Sequence, residues 1–164
     1  MPDFRPMRRI RQLLPEGEAI DMLERGTSGV LALSGDDGYP YAVPLSYVYA
    51  DGRLLFHGAR AGHKADAIRH CDKASFCVID QDQVVPEEYT TYFRSVICFG
   101  RIRMLTDPDE MRRAADLLAA RYRPGFTEAR AAAIDREFAA LGVYELTIEH
   151  MTGKEAIELV RART

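Results

Sequence analysis

The segment from Gly29 to Gly58 restricts the fold more than any other part of the chain, because it reverses direction twice in a short space. A compact apolar run, Gly29 to Ser34, meets Gly35-Asp36-Asp37-Gly38, whose residues tolerate the positive φ of a tight turn. The returning run alternates strictly: Tyr41, Val43, Leu45, Tyr47 and Tyr49 share one face, with Ala42, Ser46 and Val48 on the other. Period-two alternation marks a strand buried on one side. Asp51-Gly52 then turns the chain again into Arg53 to Gly58. Three consecutive antiparallel strands are therefore expected, a pattern that points away from alternating βαβ units.

The flanking segments add helices without changing that class. Pro15 and Glu16 open a short helix with Ile20 and Leu23 on one face, and Gly26 stops it. A helix from Lys64 to about Cys71 precedes a strand at Ala74 to Asp80, an irregular acidic and aromatic stretch to about Tyr92, and a long strand from Phe93 to Leu105. Asp107-Pro108-Asp109-Glu110 has the form of a helix start, with Asp107 as N-cap, Pro108 in the first turn and Glu110 reaching back as in a capping box. Met111, Ala114, Ala115, Leu118 and Tyr122 follow the helical period, Pro124-Gly125 breaks it, and a second helix runs from about Thr127 to Leu141, with Gly142 as its stop. A last strand, Val143 to His150, carries Tyr144, Leu146 and Ile148 on its apolar face, and one more short element spans Gly153 to Val160. The whole reads as one domain, 1–164, with a basic arm over 1–14 and a helical insertion over 106–142. Its body is an α+β barrel of five or six antiparallel strands.

Composition excludes several function classes. The 22 basic and 25 acidic residues leave a formal charge of −3, too little positive field to hold nucleic acid through its phosphates. Arg5, Arg8, Arg9 and Arg11 of the arm read as a solvated or partner-packed terminus. The longest apolar runs fall far short of the roughly 20 residues that cross a bilayer. Cys71, Cys77 and Cys98 are odd in number, lack zinc spacing and follow no secretory leader, which places the chain in a reducing cytoplasm with the thiols buried and inert. His57, His63 and His70 match no metal-ligand spacing, and no serine or cysteine sits in a nucleophile motif. Metal and hydrolase chemistry are not expected.

Two features stand out from a purely structural chain. Pro44 interrupts the alternating strand, and since proline has no N–H for the ladder it must lie at an edge, a bulge or an opening. Such an edge either faces solvent or leaves backbone groups that a planar heterocycle with amide-like borders could meet. The second feature is Phe56-His57-Gly58-Ala59-Arg60-Ala61-Gly62-His63-Lys64: a strand end, a glycine-bearing loop and a helix start. Free N–H groups there, with His63 and Lys64, either cradle a phosphate or are simply solvated.

Gly35 to Tyr49, Leu55 to Ala59 and Gly62-His63-Lys64 resemble the nitroimidazole-resistance branch of the pyridoxamine 5'-phosphate oxidase-like, FMN-binding split-barrel proteins; Val84 to Ile97, Phe99-Gly100-Arg101 and His150 to Lys154 extend the likeness. The resemblance implies a six-stranded antiparallel split β-barrel with flanking helices, forming a homodimer with FMN at the subunit interface. It further implies that Val43, Pro44, Leu45 and Ser46 lie along the isoalloxazine ring with His57 and Gly58 beside it. His63 and Lys64 would then hold the phosphate, and Arg94 and Ser95 would reach in from the other subunit. The implied activity is FMN-dependent reduction using a small-molecule donor and acceptor; His57, at the end of the Arg53 to Gly58 strand with an imidazole that can donate a proton near neutral pH, is a candidate proton donor, flavin contact or structural support. Authentic oxidases of the family carry a later segment with tryptophan; this chain has no Trp, so vitamin B6 oxidation is not expected. A non-catalytic flavin or haem carrier and a deazaflavin-dependent reductase are the competing readings.

Overall fold

The computed structural model describes residues 2–164. Among them, eight strands form one antiparallel sheet: β1 (Leu13–Leu14), β2 (Ser28–Ser34), β3 (Pro40–Ser46), β4 (Val48–Ala50), β5 (Arg53–Ala59), β6 (Lys73–Val85), β7 (Thr90–Met104) and β8 (Leu141–Glu155). The order is β3-β2-β6-β7-β8-β5-β4, with β1 added beside β8. The class is thus mostly β with flanking helices, but the strands number eight in one sheet rather than six. The expected run of three neighbouring strands is also corrected. Only β2 and β3 pair over their length, Ser28↔Ser46 to Ser34↔Pro40, whereas β4 pairs with β5 for three residues. A single residue, Tyr47, separates β3 from β4 in sequence and carries the chain from one end of the sheet order to the other. The two ends therefore meet at one corner.

The inner face is the larger core. Leu31, Tyr47, Leu54, Phe56, Phe76, Val96, Tyr144 and Leu146 pack there with Met22 and Leu23, all close to fully buried. Helix α1 (Glu16–Arg25) caps it through Ala19, Met22 and Leu23, while Ile20 is only half-buried. Glu16 and Glu18 in its first turn and Arg25 in its last suit the helix dipole. Helix α2 (His63–His70) adds Ala65, Ala67 and Ile68.

The opposite face of β5 and β8 holds a second core, in which Leu55 and Val143 meet Leu105 and Met111, Ala114 and Leu118 of helix α3 (Pro108–Tyr122). This explains why Val143 and Glu145 are buried although they alternate with Tyr144 and Leu146; Glu145 is neutralised by Arg53 and Arg103, each at 3.1 Å. Asp107 caps α3 through the Glu110 amide at 3.0 Å. The Glu110 carboxylate does not close a capping box but turns to Arg103.

Three boundaries differ from the sequence reading. The stretch after Asp80 is no irregular loop: β6 and β7 form a long hairpin from Lys73↔Arg101 to Val85↔Thr90, turned by Pro86–Glu88 with Tyr89 at φ 53°. Its residues include Val84, Val85, Thr90, Thr91, Tyr92 and Phe93, all good strand formers. Asp80 is the bulged residue, and both its oxygens take the Arg25 guanidinium at 2.7 Å. Helix α4 (Thr127–Glu137) ends before Leu141, and Gly142 belongs to β8, opposite Gly58, where a side chain would strike the Ala59 carbonyl. Strand β8 itself runs on to Glu155, past a bulge opposite Phe99 and Gly100, so Gly153 is in the sheet and only Ile157–Ala162 forms helix α5.

Of the arm, Leu13–Leu14 join the sheet as β1, with Leu14 in the larger core, and Phe4 lies against the outer face. There Phe4 stacks on His150 with ring centroids 4.7 Å apart and sits 5.6 Å from Phe99. Cys98 is buried as expected, but Cys71 and Cys77 are half-buried. Burial pushes the Cys98 thiol up to about 12 and raises Cys77, so neither is thiolate at neutral pH. No helix is long and apolar enough to cross a membrane, and no group of three metal-ligating side chains occurs among the described residues.

Candidate functional site

Two open strand edges define the site. Strand β3 is the end of the sheet order, paired on one side only. Pro44, opposite Val30, is exposed there, where a missing N–H costs the ladder least. Val43 and Leu45 point inward, half-buried against the core, while Pro44 and Ser46 point out. The second edge is the end of β5: its partner β4 stops at Val48↔Leu55, so His57, Gly58 and Ala59 pair with β8 alone. Backbone on both edges is free to meet a ligand.

The loop between β5 and α2 is held from several sides. Arg60 donates to the carbonyls of Leu141 at 2.8 Å and Phe138 at 3.0 Å, and the Tyr144 hydroxyl donates to that of Ala59. Gly62 takes φ +118°, which a side chain would disfavour, and so starts α2. His63 stacks on Tyr41 of β3 with centroids 3.8 Å apart, and its Nε2 is 3.9 Å from Asp36. One aromatic pair thus ties the β3 edge to the helix start.

Lys64 is half-buried and forms no ion pair among the described residues. Its Nζ sits 5.1 Å from the Tyr144 ring centroid and 2.5 Å from where a side chain on Gly58 would begin. Burial lowers its pKa, as expected for an ammonium without a counter-charge. A cation held beside a helix N-terminus with no internal acid is well placed to receive an anion.

On the other side of β5, a cavity of about 400 Å³ opens between the sheet and the α3–α4 hairpin. Ser46 and His57 form part of its wall; Leu118, Ala119 and Tyr122 of α3 and Ala133, Ile134 and Glu137 of α4 form most of the rest. The Tyr122 hydroxyl accepts from the Tyr47 amide at 3.2 Å and donates to the Thr27 carbonyl, which fixes the end of α3 to the corner.

Within one chain, therefore, Ser46 and His57 meet at the cavity, while His63 and Lys64 stand at the start of α2 with Gly58 beneath. Arg94 is not brought to them. It pairs with Glu18 at 2.8 Å and lies 3.5 Å from Glu155, a fully buried carboxylate that Arg163 also holds. Ser95 follows it on β7 opposite Ile79, on the outer face. Sequence reasoning missed Tyr144, Ala133 and Glu137 as site residues. The helical period marked an apolar face on α3 but gave no sign of what α4 would cover.

The family model described as pyridoxamine 5'-phosphate oxidase matches residues 15–155. The chain belongs to that family. No curated protein is similar enough in sequence to count as a relative. Among solved structures, a FAD-binding protein of Mesorhizobium loti is similar at 25% identity and TM-score 0.67, covering 88% of this chain and 97% of its own. A FAD and haem binding protein of Mycobacterium smegmatis reaches TM-score 0.74 at 24% identity, over 94% of this chain and 80% of its own. A candidate 5-nitroimidazole antibiotic resistance protein of Bacteroides thetaiotaomicron reaches 0.72 at 19% identity, over 87% and 86%. The last two likenesses show the shared fold of the family.

Since Gly58 makes room for the Lys64 ammonium, Gly58→Ala should swing it into solvent and raise its pKa toward the ordinary lysine value. Side-chain NMR titration of Lys64 reads this directly; an unchanged titration would mean that Gly58 does not position the lysine.

Proposed function

We propose that this chain binds FMN along the open edges of β3 and β5 and uses it to reduce small organic molecules. The observation that carries the reading is the unpaired Lys64 ammonium, held between Gly58 and Tyr144 at the start of α2. A flavin phosphate satisfies that charge, as a neutral nucleoside would not. Family membership and the FAD-binding name of the Mesorhizobium loti protein favour flavin over haem or deazaflavin. The mass of the cofactor released from purified protein separates FMN from FAD.

Bound flavin supplies electron and hydride transfer. The protein's own groups do the rest in this reading. Val43 to Ser46 border the ring, Pro44 leaving the edge free of one competing donor. His63, Lys64 and the free amides of α2 hold the phosphate, and His57, exposed beside the cavity, gives a proton to the reduced acceptor.

The functional unit in this reading is a symmetric dimer. Val30, Cys77 and Ile97 lie in register across β2, β6 and β7 on the outer face, and Val30, Ile97 and Phe99 are each about two-fifths exposed. A second copy of the chain would cover this apolar band and bring Ser95, on the same face, toward its partner's flavin.

Four outcomes test these assignments. Lys64→Ala should weaken FMN ten- to hundredfold, about 1.5 to 3 kcal/mol for a charge-assisted contact, and riboflavin much less. Because burial lowers the Lys64 pKa and a bound phosphate raises it, FMN binding should take up a proton on the alkaline side. Affinity then falls as pH rises through the ammonium's pKa in the free protein, and flavin fluorescence quenching follows both effects. Equal loss for FMN and riboflavin would remove the phosphate role. His57→Ala should keep flavin bound while turnover of a nitroaromatic with a nicotinamide donor drops by about 10²-fold or more; full turnover at full occupancy makes His57 a bystander. Sedimentation at micromolar concentration should give a dimer that Ile97→Glu converts to monomer, and a wild-type monomer with flavin bound would refute the assembly.

A further inference from the structure

The cavity between β5 and the α3–α4 hairpin has a one-sided charge. Its wall contains no lysine or arginine, and Glu137 is its single carboxylate. Three arginines of α3 and α4 are engaged elsewhere, and Arg113 and Arg136 of the same helices are not part of the wall. Arg112 pairs with Asp135 and lies over the Phe138 ring, Arg130 pairs with Asp116, and Arg121 donates to the carbonyls of Arg25 and Gly26. Arg60 spends its donors on the carbonyls of Phe138 and Leu141 and, for its charge, is not part of the wall. Lys64 stands on the other face of β5, beneath Gly58 rather than His57.

The remaining wall is apolar and made narrow by alanines. Ala115, Ala119 and Ala133 let the two helices and the sheet enclose a space of about 400 Å³, lined also by Leu118 and Ile134. That is toward the small end of the roughly 300–1,000 Å³ of ligand pockets. Ser46 and His57 offer hydrogen-bonding groups from the sheet side, while the Tyr122 hydroxyl is already held by Tyr47 and Thr27. An anion entering here would lose its hydration, meet Glu137 and find no cation to replace the water.

We propose that this cavity is the acceptor subsite and that it takes uncharged or cationic aromatic molecules of up to two fused rings, while rejecting phosphorylated or carboxylated ones of similar size. The assignment rests on the flavin reading for the word acceptor, but the selectivity belongs to the cavity alone. It also separates this chain from the substrate class in its family's name, since a phosphate ester has no partner in the wall.

An isosteric, redox-inert pair tests it: naphthalene-2-carboxamide and naphthalene-2-carboxylate, titrated calorimetrically into the flavin-loaded protein at about pH 8, above the ordinary range of imidazole. The carboxamide should bind at least tenfold more tightly, and Glu137→Gln should shrink that ratio at least threefold. Ala133→Leu, a change between two good helix formers on a half-buried position, should weaken the carboxamide tenfold or more with FMN affinity unchanged. Ala119→Leu serves as the second filling variant if the first misfolds. Equal or tighter binding of the carboxylate overturns the proposal, as does a carboxamide affinity indifferent to both fillings. A loss of FMN affinity in the filled variants would give the cavity to the flavin and also overturn it. Failure of the flavin reading shows separately, as absent FMN quenching, and the same pair is then titrated into the flavin-free protein.

Discussion

Everything in this molecule turns on how Tyr47 is held. It is the only residue between β3 and β4, and those strands stand at opposite ends of the sheet order. Its ring is fully buried, 5.1 Å from Phe76 in an edge-on contact, and its hydroxyl donates to the Leu23 carbonyl at 2.7 Å near the end of α1. Gly26 must lack a side chain, because one would overlap that hydroxyl. With the ring committed inward, the backbone on either side can leave for two different neighbours. The edge of β3 and the end of β5 are left without a second strand partner as a consequence.

The same corner links the open β3 edge and the cavity. The Tyr47 amide donates to Tyr122, whose own hydroxyl reaches Thr27, so the last turn of α3 is anchored where the sheet ends meet. A hydrogen bond of this kind stabilises by only about 1 kcal/mol net, but leaving a buried amide unpaired costs more. The helices that enclose the cavity are therefore positioned by the residue that opens the sheet. Their other attachment is the second core around Leu55, Leu105 and Met111, which is separate from the larger core on the inner face of the sheet.

Much of this was legible in the sequence, for local reasons. Glycine and aspartate turns, Asp107 with Pro108, and the Met111–Leu118 period each encode structure within a few residues, and each element forms where its signal lies. Pro44 called for an edge, a bulge or an opening, and it lies on an edge strand. What failed was long-range. Alternation from Tyr41 to Tyr49 reads as one strand, because a strand that changes partners at Tyr47 keeps the same period as one that does not. Gly142 reads as a helix stop, though its reason is the approach of Ala59 from β5. The hairpin beyond Asp80 was hidden by acidic residues, which are tolerated because Asp80 is bulged out to Arg25. For the site, the Gly58 to Lys64 run was visible, but Tyr144 and Glu137 come from distant elements and carry no local mark.

The arrangement gives the two proposed tasks of the site different physical foundations. The phosphate end depends on a lysine seated over a glycine in the sheet, a geometry with little freedom, since a methyl group on Gly58 already displaces the ammonium. The cavity depends on small side chains of an exposed helical hairpin, where α4 has no fully buried residue. Substitutions there alter volume and charge with little effect on the main core, because the transfer term that destabilises core variants scales with apolar area lost from burial. Cofactor affinity and acceptor choice can therefore change independently in a chain built this way. The sheet, shared across the family, and the hairpin over the proposed cavity are thus separable parts of one chain, and in the proposed reading the first serves the cofactor and the second the choice of acceptor.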